Sequence, residues 1–362
     1  MTVTTTYPGV YLSEDAVSSF SVNGTATAVP LFAYDSNSNS KSAVTTDEPI
    51  QVFRNWAEFT AVYSTPLKDA FYTSLKLWFM HGGGKCYLVQ VTKIADAVAQ
   101  YDDITLIVAA GTDTKTAPPI YDAFNLVVSQ GYRIFGLFDG PQDKIAGTDK
   151  PDEVMKAYPT SAFGAVFYPW CTLASGEAVP PSAIAAAAIA QTDRTRGVWK
   201  APANQAVNGV TPMFAVSDDF QGTYNQGKAL NMIRTFPGQG TVVWGARTLE
   251  DSDNWRYIPV RRLFNAVERD IQKALNKLVF EPNSQPTWQR VKAAVDSYLH
   301  GLWQQGALAG STPADAWFVQ VGKDLTMTQE EINQGKMIIK IGLAAVRPAE
   351  FIILQFSQDI AQ

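Results

Sequence analysis

The chain has 362 residues, 46% hydrophobic and 12% aromatic, enough for about two domains with substantial cores, so intrinsic disorder is set aside. A formal net charge of −5 argues against a protein built to hold phosphate backbone, and nucleic acid is not an expected partner. Cys86 and Cys171 are its two cysteines, with no CxxC and no His/Cys cluster, which excludes a disulfide framework and a zinc site and suits a reducing cytoplasm.

In chain order, "MTVTTTYPGVYLSEDAVSSF" lacks a basic segment followed by an apolar one, and no apolar run approaches the ~18 residues of a membrane span. Ordinary secretion and membrane insertion are therefore not expected. The first 24 or so residues alternate weakly and include Pro8 and Gly9, as an extended arm would. From Ala28 to about Gly245, "KCYLVQV", "DITLIVAAG", "YRIFGLFD" and "AFGAVFYPW" read as strands, with helical stretches at 67–80 and 121–131 between them. That alternation predicts an α/β layer domain. After Trp255, Val260, Leu263, Phe264, Val267, Ile271, Leu275 and Leu278 follow helical spacing behind Pro259. A second helix carries Trp288, Val291, Val295, Leu299 and Leu302, with Gly306 placed to end it. "KMIIKIG" alternates as a strand, and "FIILQF" closes the chain as a strand that must be paired inside its own sheet or inside another molecule.

Little here suggests catalysis. "FMHGGGKCYLVQV" could be an oxyanion loop or a phosphate cradle, but Phe79 and Cys86 stand where a P-loop needs Gly and Ser or Thr, and no GxSxG elbow is present. A tight helix-to-strand turn needing positive φ fits better. His81 and His300 are the only histidines, so a His-dependent acid–base or metal mechanism has few candidates. Asp102–Asp103, Asp218–Asp219 and Glu330–Glu331 are adjacent pairs whose side chains diverge on regular structure. Arg261–Arg262 is placed on the polar side of the long helix, facing either an acidic partner or intramolecular carboxylates.

"YPGVY", "FMHGGGKCYLVQV", "SAFGAVFYPW", "VPPSAIAAAAIAQTDRTRGVWKAPAN", "LNMIRTFPGQGTVVWGARTL", "WRYIPVRRL", "VFEPN", "GALAG" and "RPAEFIILQFSQ" follow one another from residue 7 to the end. In that order they resemble the contractile tail sheath family, which includes phage tail sheaths, pyocin sheaths and the sheaths of extracellular contractile injection systems. One departure is alanine at Ala187 or Ala188, where the family has glycine in an AG pair. The shortness of the chain looks most like the Photorhabdus virulence cassette and antifeeding-prophage type of sheath. A phage or pyocin sheath is the alternative within the family, and an α/β enzyme of unknown reaction the alternative of another class.

The resemblance implies a mixed α/β (α+β), tail-sheath-like fold, a two-domain body with extended terminal strand arms. Its parts would be an N-terminal arm at 1–24, an outer α/β domain at 25–245, an inner domain facing the tube at 246–345 and a C-terminal arm at 346–362. The arms would donate strands to neighbouring subunits through Val3, Tyr7, Val10, Leu12, Phe20 and Val22 at one end and Phe351, Ile352, Ile353, Leu354 and Phe356 at the other. Met337, Ile339 and Ile341 would belong to the recipient strand, and "NGTA" and "GLAAVRP" would be flexible links. Lys273, Lys277, Arg290 and Lys292 are the tube-facing candidates. The implied function is that of a structural subunit which polymerises in a metastable extended state around an inner tube, then contracts to drive the tube through a target cell envelope. It would need no catalytic residue, metal or cofactor. Its partners would be copies of itself in stacked hexameric rings, the inner tube protein, and baseplate and terminator or cap proteins. The particle would assemble in the bacterial cytoplasm and act outside the cell.

Overall fold

The computed structural model describes residues 20–35, 48–63, 69–112 and 119–351. An extended stretch leads into β1 (Pro30–Tyr34), followed by β2 (Ile50–Phe53), α1 (Trp56–Val62) and α2 (Ala70–Met80). Strands and helices then alternate as β3 (Cys86–Gln90), α3 (Ile94–Gln100), β4 (Leu106–Val108), α4 (Pro119–Ser129), β5 (Phe135–Asp139), α5 (Pro151–Met155) and β6 (Gly164–Tyr168). Next come β7 (Cys171–Leu173), β8 (Ala178–Val179), the long α6 (Pro181–Arg196), β9 (Gln205–Ala206), β10 (Val210–Pro212), α7 (Asp218–Thr223), β11 (Leu230–Phe236) and β12 (Gly240–Trp244). The chain continues through α8 (Ile258–Leu275), α9 (Gln285–Gln304), β13 (Trp317–Val321) and β14 (Ile339–Leu343).

Nine strands form one sheet in the order β2-β3-β1-β4-β5-β6-β11-β12-β9. Its centre, from β3 to β11, is parallel, while β2, β12 and β9 pair antiparallel at the margins. Parallel strands covered on both faces read as continuous apolar runs, and β1, β4, β5 and β6 are buried along their whole length. One face packs on α2 and α6, the other on α3 and α4. The alanine run of α6 suits its position: Ala183 to Ala188 are all buried, the small side chains letting the helix lie close on the sheet.

The HGGG stretch is the expected turn between α2 and β3. Gly82 takes φ +74°, and a Cβ at Gly83 would lie 2.2 Å from the fully buried Trp78 ring. At the C-terminal end of β5, where an α/β enzyme could place an acid, the buried Asp139 carboxylate accepts from the backbone N–H of Ser182 (2.7 Å) and of Gly111 (2.8 Å). It ties the start of α6 to the sheet.

The C-terminal part has its own core, where Leu263, Val267 and Ile271 of α8 meet Val291, Val295 and Leu299 of α9. Gly306, at φ +81°, ends α9 with paired bonds from Gly306 N–H to the Trp303 carbonyl (2.9 Å) and from Ala307 N–H to the Leu302 carbonyl (3.0 Å). Arg261 and Arg262 overturn the reading of a polar helix face, because both are buried on α8. Arg261 stacks on Trp255 and Phe163, 4.2 and 4.6 Å from the ring centroids, and pairs with Glu268 at 2.9 Å. Arg262 pairs with Asp193 of α6 at 2.6 Å.

Candidate assembly site

The root of the N-terminal segment is built into the C-terminal core. Val22 is buried in one cluster with Val198, Leu263 and Leu299, and Phe20 packs against that cluster. Beyond them, Thr25 gives its backbone N–H (3.1 Å) and its hydroxyl (2.5 Å) to Asp270, which also receives the Tyr298 hydroxyl at 2.7 Å. Arg269 donates to Thr25 Oγ1 (3.1 Å) and the Ala26 carbonyl (2.9 Å), and Arg262 to the Thr27 carbonyl (3.0 Å). The Thr27 hydroxyl meets Asp193 at 2.6 Å, so one carboxylate joins the chain entry, α6 and α8. Burial, together with the Asp270 carboxylate it faces, pushes the Tyr298 phenol well above its ordinary value. The second half of the expected flexible link "NGTA" is thus held: α8 side chains bond the Thr25 N–H and the Ala26 carbonyl.

The other end of the body has a similar clamp. Arg247 donates from Nε (2.9 Å) and Nη2 (2.7 Å) to Glu350, a two-pronged pair, and the Tyr257 hydroxyl adds a third bond at 3.2 Å. The other expected link, "GLAAVRP", is also largely paired: Gly342 and Leu343 lie in β14, Ala345 bridges Leu308, and Val346 N–H reaches the Ala307 carbonyl at 3.2 Å. Immediately after Glu350, Phe351 is 70% exposed.

Between the clamps, β13 and β14 form an antiparallel two-stranded ribbon with Trp317 opposite Leu343 and Val321 opposite Ile339. One face sits on the α8–α9 core through Val319 and the half-buried Ile339 and Ile341. Trp317 is fixed there by His300, Trp303 and a 3.1 Å bond from its indole N–H to Asp296. On the other face Phe318 lies exposed over Gly342, where a Cβ would come within 2.2 Å of its ring. Neither outer edge of the ribbon has a ladder partner among the described residues. Met337 precedes the strand, which begins at Ile339.

The four basic candidates separate. Lys273 pairs with Asp102 at 2.8 Å and Arg290 with Glu281 at 3.6 Å, whereas Lys277 and Lys292 are exposed and make no ion pair with the described residues. Lys277 stands beside the α8–α9 loop, which exposes Val279 and Phe280; Phe280 is fully exposed at φ +75°, an uncommon backbone for an aromatic residue. Val3, Tyr7, Val10, Leu12, Ile352, Ile353, Leu354 and Phe356 lie outside the described residues. The clamps carried no sequence signal, since Arg262 and Asp193 are 69 residues apart and Arg247 and Glu350 are 103 apart. Among the described residues, no group of His, Cys, Asp and Glu could hold a metal ion.

Residues 89–249 match the phage tail sheath protein central domain family, and residues 250–359 the phage tail sheath C-terminal domain family. The chain is similar to one in the cryo-EM structure of the anti-feeding prophage (AFP) baseplate in the contracted state, at 86% identity and a TM-score of 0.90 over 98% of this chain and 100% of that one. A chain of the PVC sheath complex in the contracted state, from an extracellular contractile injection system, is 47% identical with a TM-score of 0.88 over 99% of both. The tail sheath protein of Vibrio phage KVP40 is 24% identical over 182 residues; these are 49% of this chain, which spans only 26% of that curated relative's length.

Proposed function

The chain belongs to the contractile tail sheath family, as a structural subunit and not an enzyme, and on that premise we propose that it links to its neighbours by exchanging terminal strands. The arms at 1–24 and 346–362, rooted in their own body through Phe20 and Val22 at one end and Val346 and Glu350 at the other, add the segments beyond those roots to the edges of the β13–β14 ribbon in adjoining subunits, joining rings into a mesh. One observation carries this reading: a ribbon of two strands, covered on one face, with both edges open among the described residues. Two strands are marginal alone, and open edges take up further strands through backbone bonds while alternate side chains set register.

The outer part at 25–245 and the inner part at 246–345 then move as the sheath shortens around an inner tube. Lys277, Lys292 and the exposed Phe280 are the tube-contact residues of first choice, because Lys273 and Arg290 already have carboxylates within the chain. Stacked hexameric rings would end on baseplate and cap proteins. The likeness to injection-system sheaths favours a particle assembled in the bacterial cytoplasm and acting outside the cell.

Replacing Ile352 and Leu354 together with Asp tests the exchange, since unpaired charge in a strand ladder is costly. Electron microscopy should find no tubes, while circular dichroism finds a folded body with unchanged melting. Normal tubes, or a body that unfolds in step with the lost assembly, would count against strand donation.

A further inference from the structure

Behind the clamped chain entry, a cavity of about 10 Å³ is lined by Thr27, Thr105, Arg133, Arg262, Asn265 and Arg269, with Phe135 and Ala266 as its apolar wall. It has room for one water-sized or monatomic occupant. Its polar lining is donor-rich. Asn265 is only 4% exposed, and Arg261 Nε–H donates to its Oδ1 at 2.8 Å, which fixes the amide orientation because a guanidinium can only donate. The amide Nδ2 is left buried and without a partner. The Thr27 hydroxyl proton goes to Asp193 and that of Thr105 to the Val29 carbonyl.

Charge decides what such a site holds. Three guanidiniums line the cavity and no carboxylate does. Glu268 is shared between Arg133 and Arg261, Asp193 serves Arg262, and no carboxylate is in ion-pair contact with Arg269 among the described residues. Asp270, next in the chain to Arg269, is occupied by Thr25 and Tyr298, while Asp102 pairs with Lys273. Burial holds the Arg269 guanidinium below its usual value, as expected of a cation short of compensation, with Asp270 acting against the shift and Arg262 adding to it. The geometry points to a small, partly enclosed site for one monatomic anion, of which chloride is the abundant example, held by the buried Asn265 Nδ2 and the surrounding guanidiniums at the seam between the sheet, α8 and the root of the N-terminal segment. Oxyanions such as sulfate and acetate are too large for it.

The test uses the full chain and does not depend on strand exchange. Its thermal midpoint is followed while sodium chloride or bromide replaces sodium acetate or methanesulfonate at constant ionic strength. Binding to the folded state alone should raise the midpoint by roughly 2 °C and then saturate. Asn265→Asp places a carboxylate in the cavity and should abolish the halide response. Crystals of the unaltered chain soaked in bromide give an independent reading, an anomalous peak beside Asn265. Equal midpoints in all four salts would mean that the cavity holds water and would overturn the proposal. So would a halide response that persists in Asn265→Asp, or bromide peaks confined to the surface.

Discussion

Arg262 shows how far one side chain departs from what its neighbours in sequence suggest. Its charge sits 3% exposed against an Asp193 side chain at 6%, and its remaining donors hold the Thr27 carbonyl. An isolated charge so placed is strongly destabilising, so the pair is worth far more intact than broken. Arg262→Met should cost about 3–5 kcal/mol in urea denaturation, because among the described residues the buried Asp193 carboxylate keeps only the Thr27 hydroxyl as a donor. Adding Asp193→Leu should recover part of the loss by removing the orphaned charge. A cost below about 1 kcal/mol for the single change would mark the pair as no better than an exposed one. In the sequence, Arg261–Arg262 reads as a polar helix face because charge usually marks exposure. The partners that reverse this reading come from α6 and from one to two turns along α8, and no local pattern announces the first of them.

At the scale of elements, legibility followed periodicity. The two long helices, the Gly306 stop and the central strands were readable because burial on one stripe or on both faces leaves a direct pattern of apolar residues. The roots of the arms were not, since "NGTA" and "GLAAVRP" have linker composition, yet the first is held by α8 side chains and the second by backbone pairing, with partners far away in sequence. The HGGG turn lies between these cases: its glycines signal a special backbone, but only the structure shows that Gly82, by its positive φ, and Gly83, by its contact with Trp78, are constrained while Gly84 is not. Gly83→Ala would drive a methyl into the ring of Trp78, whose indole N–H is already fixed on the Gly84 carbonyl at 2.9 Å, whereas a Cβ at Gly84 meets nothing within 4 Å. Gly83→Ala should therefore lose about 1–3 kcal/mol by overpacking. Gly84→Ala should stay within about 0.5 kcal/mol. Paired denaturation curves decide the matter, and equal effects would mean that the turn shifts to make room.

For the whole molecule, if the terminal segments exchange strands as proposed, the two clamps set where a body ends and a tether begins. Motion can pass from one subunit to the next through a strand arm only if the arm has little slack, and slack counts only outside the clamped part. On the N-terminal side the body holds Val22 in its core and Thr25 to Thr27 on α8, so extra length must enter before Phe20. Each extended residue spans about 3.3 Å, and three flexible residues inserted between Ser19 and Phe20 add on the order of 10 Å. Such a variant should still assemble, because its strand pairing is untouched, yet its sheath should stall on a contraction stimulus. The same insertion between Asn23 and Gly24 separates Val22 from Thr25 inside the clamp, and should lower the melting temperature of the body instead. Sheath lengths by electron microscopy before and after the stimulus, alongside melting curves, separate the two effects. Full contraction with the longer tether would mean that movement spreads through contacts between bodies and that the arms only hold them together.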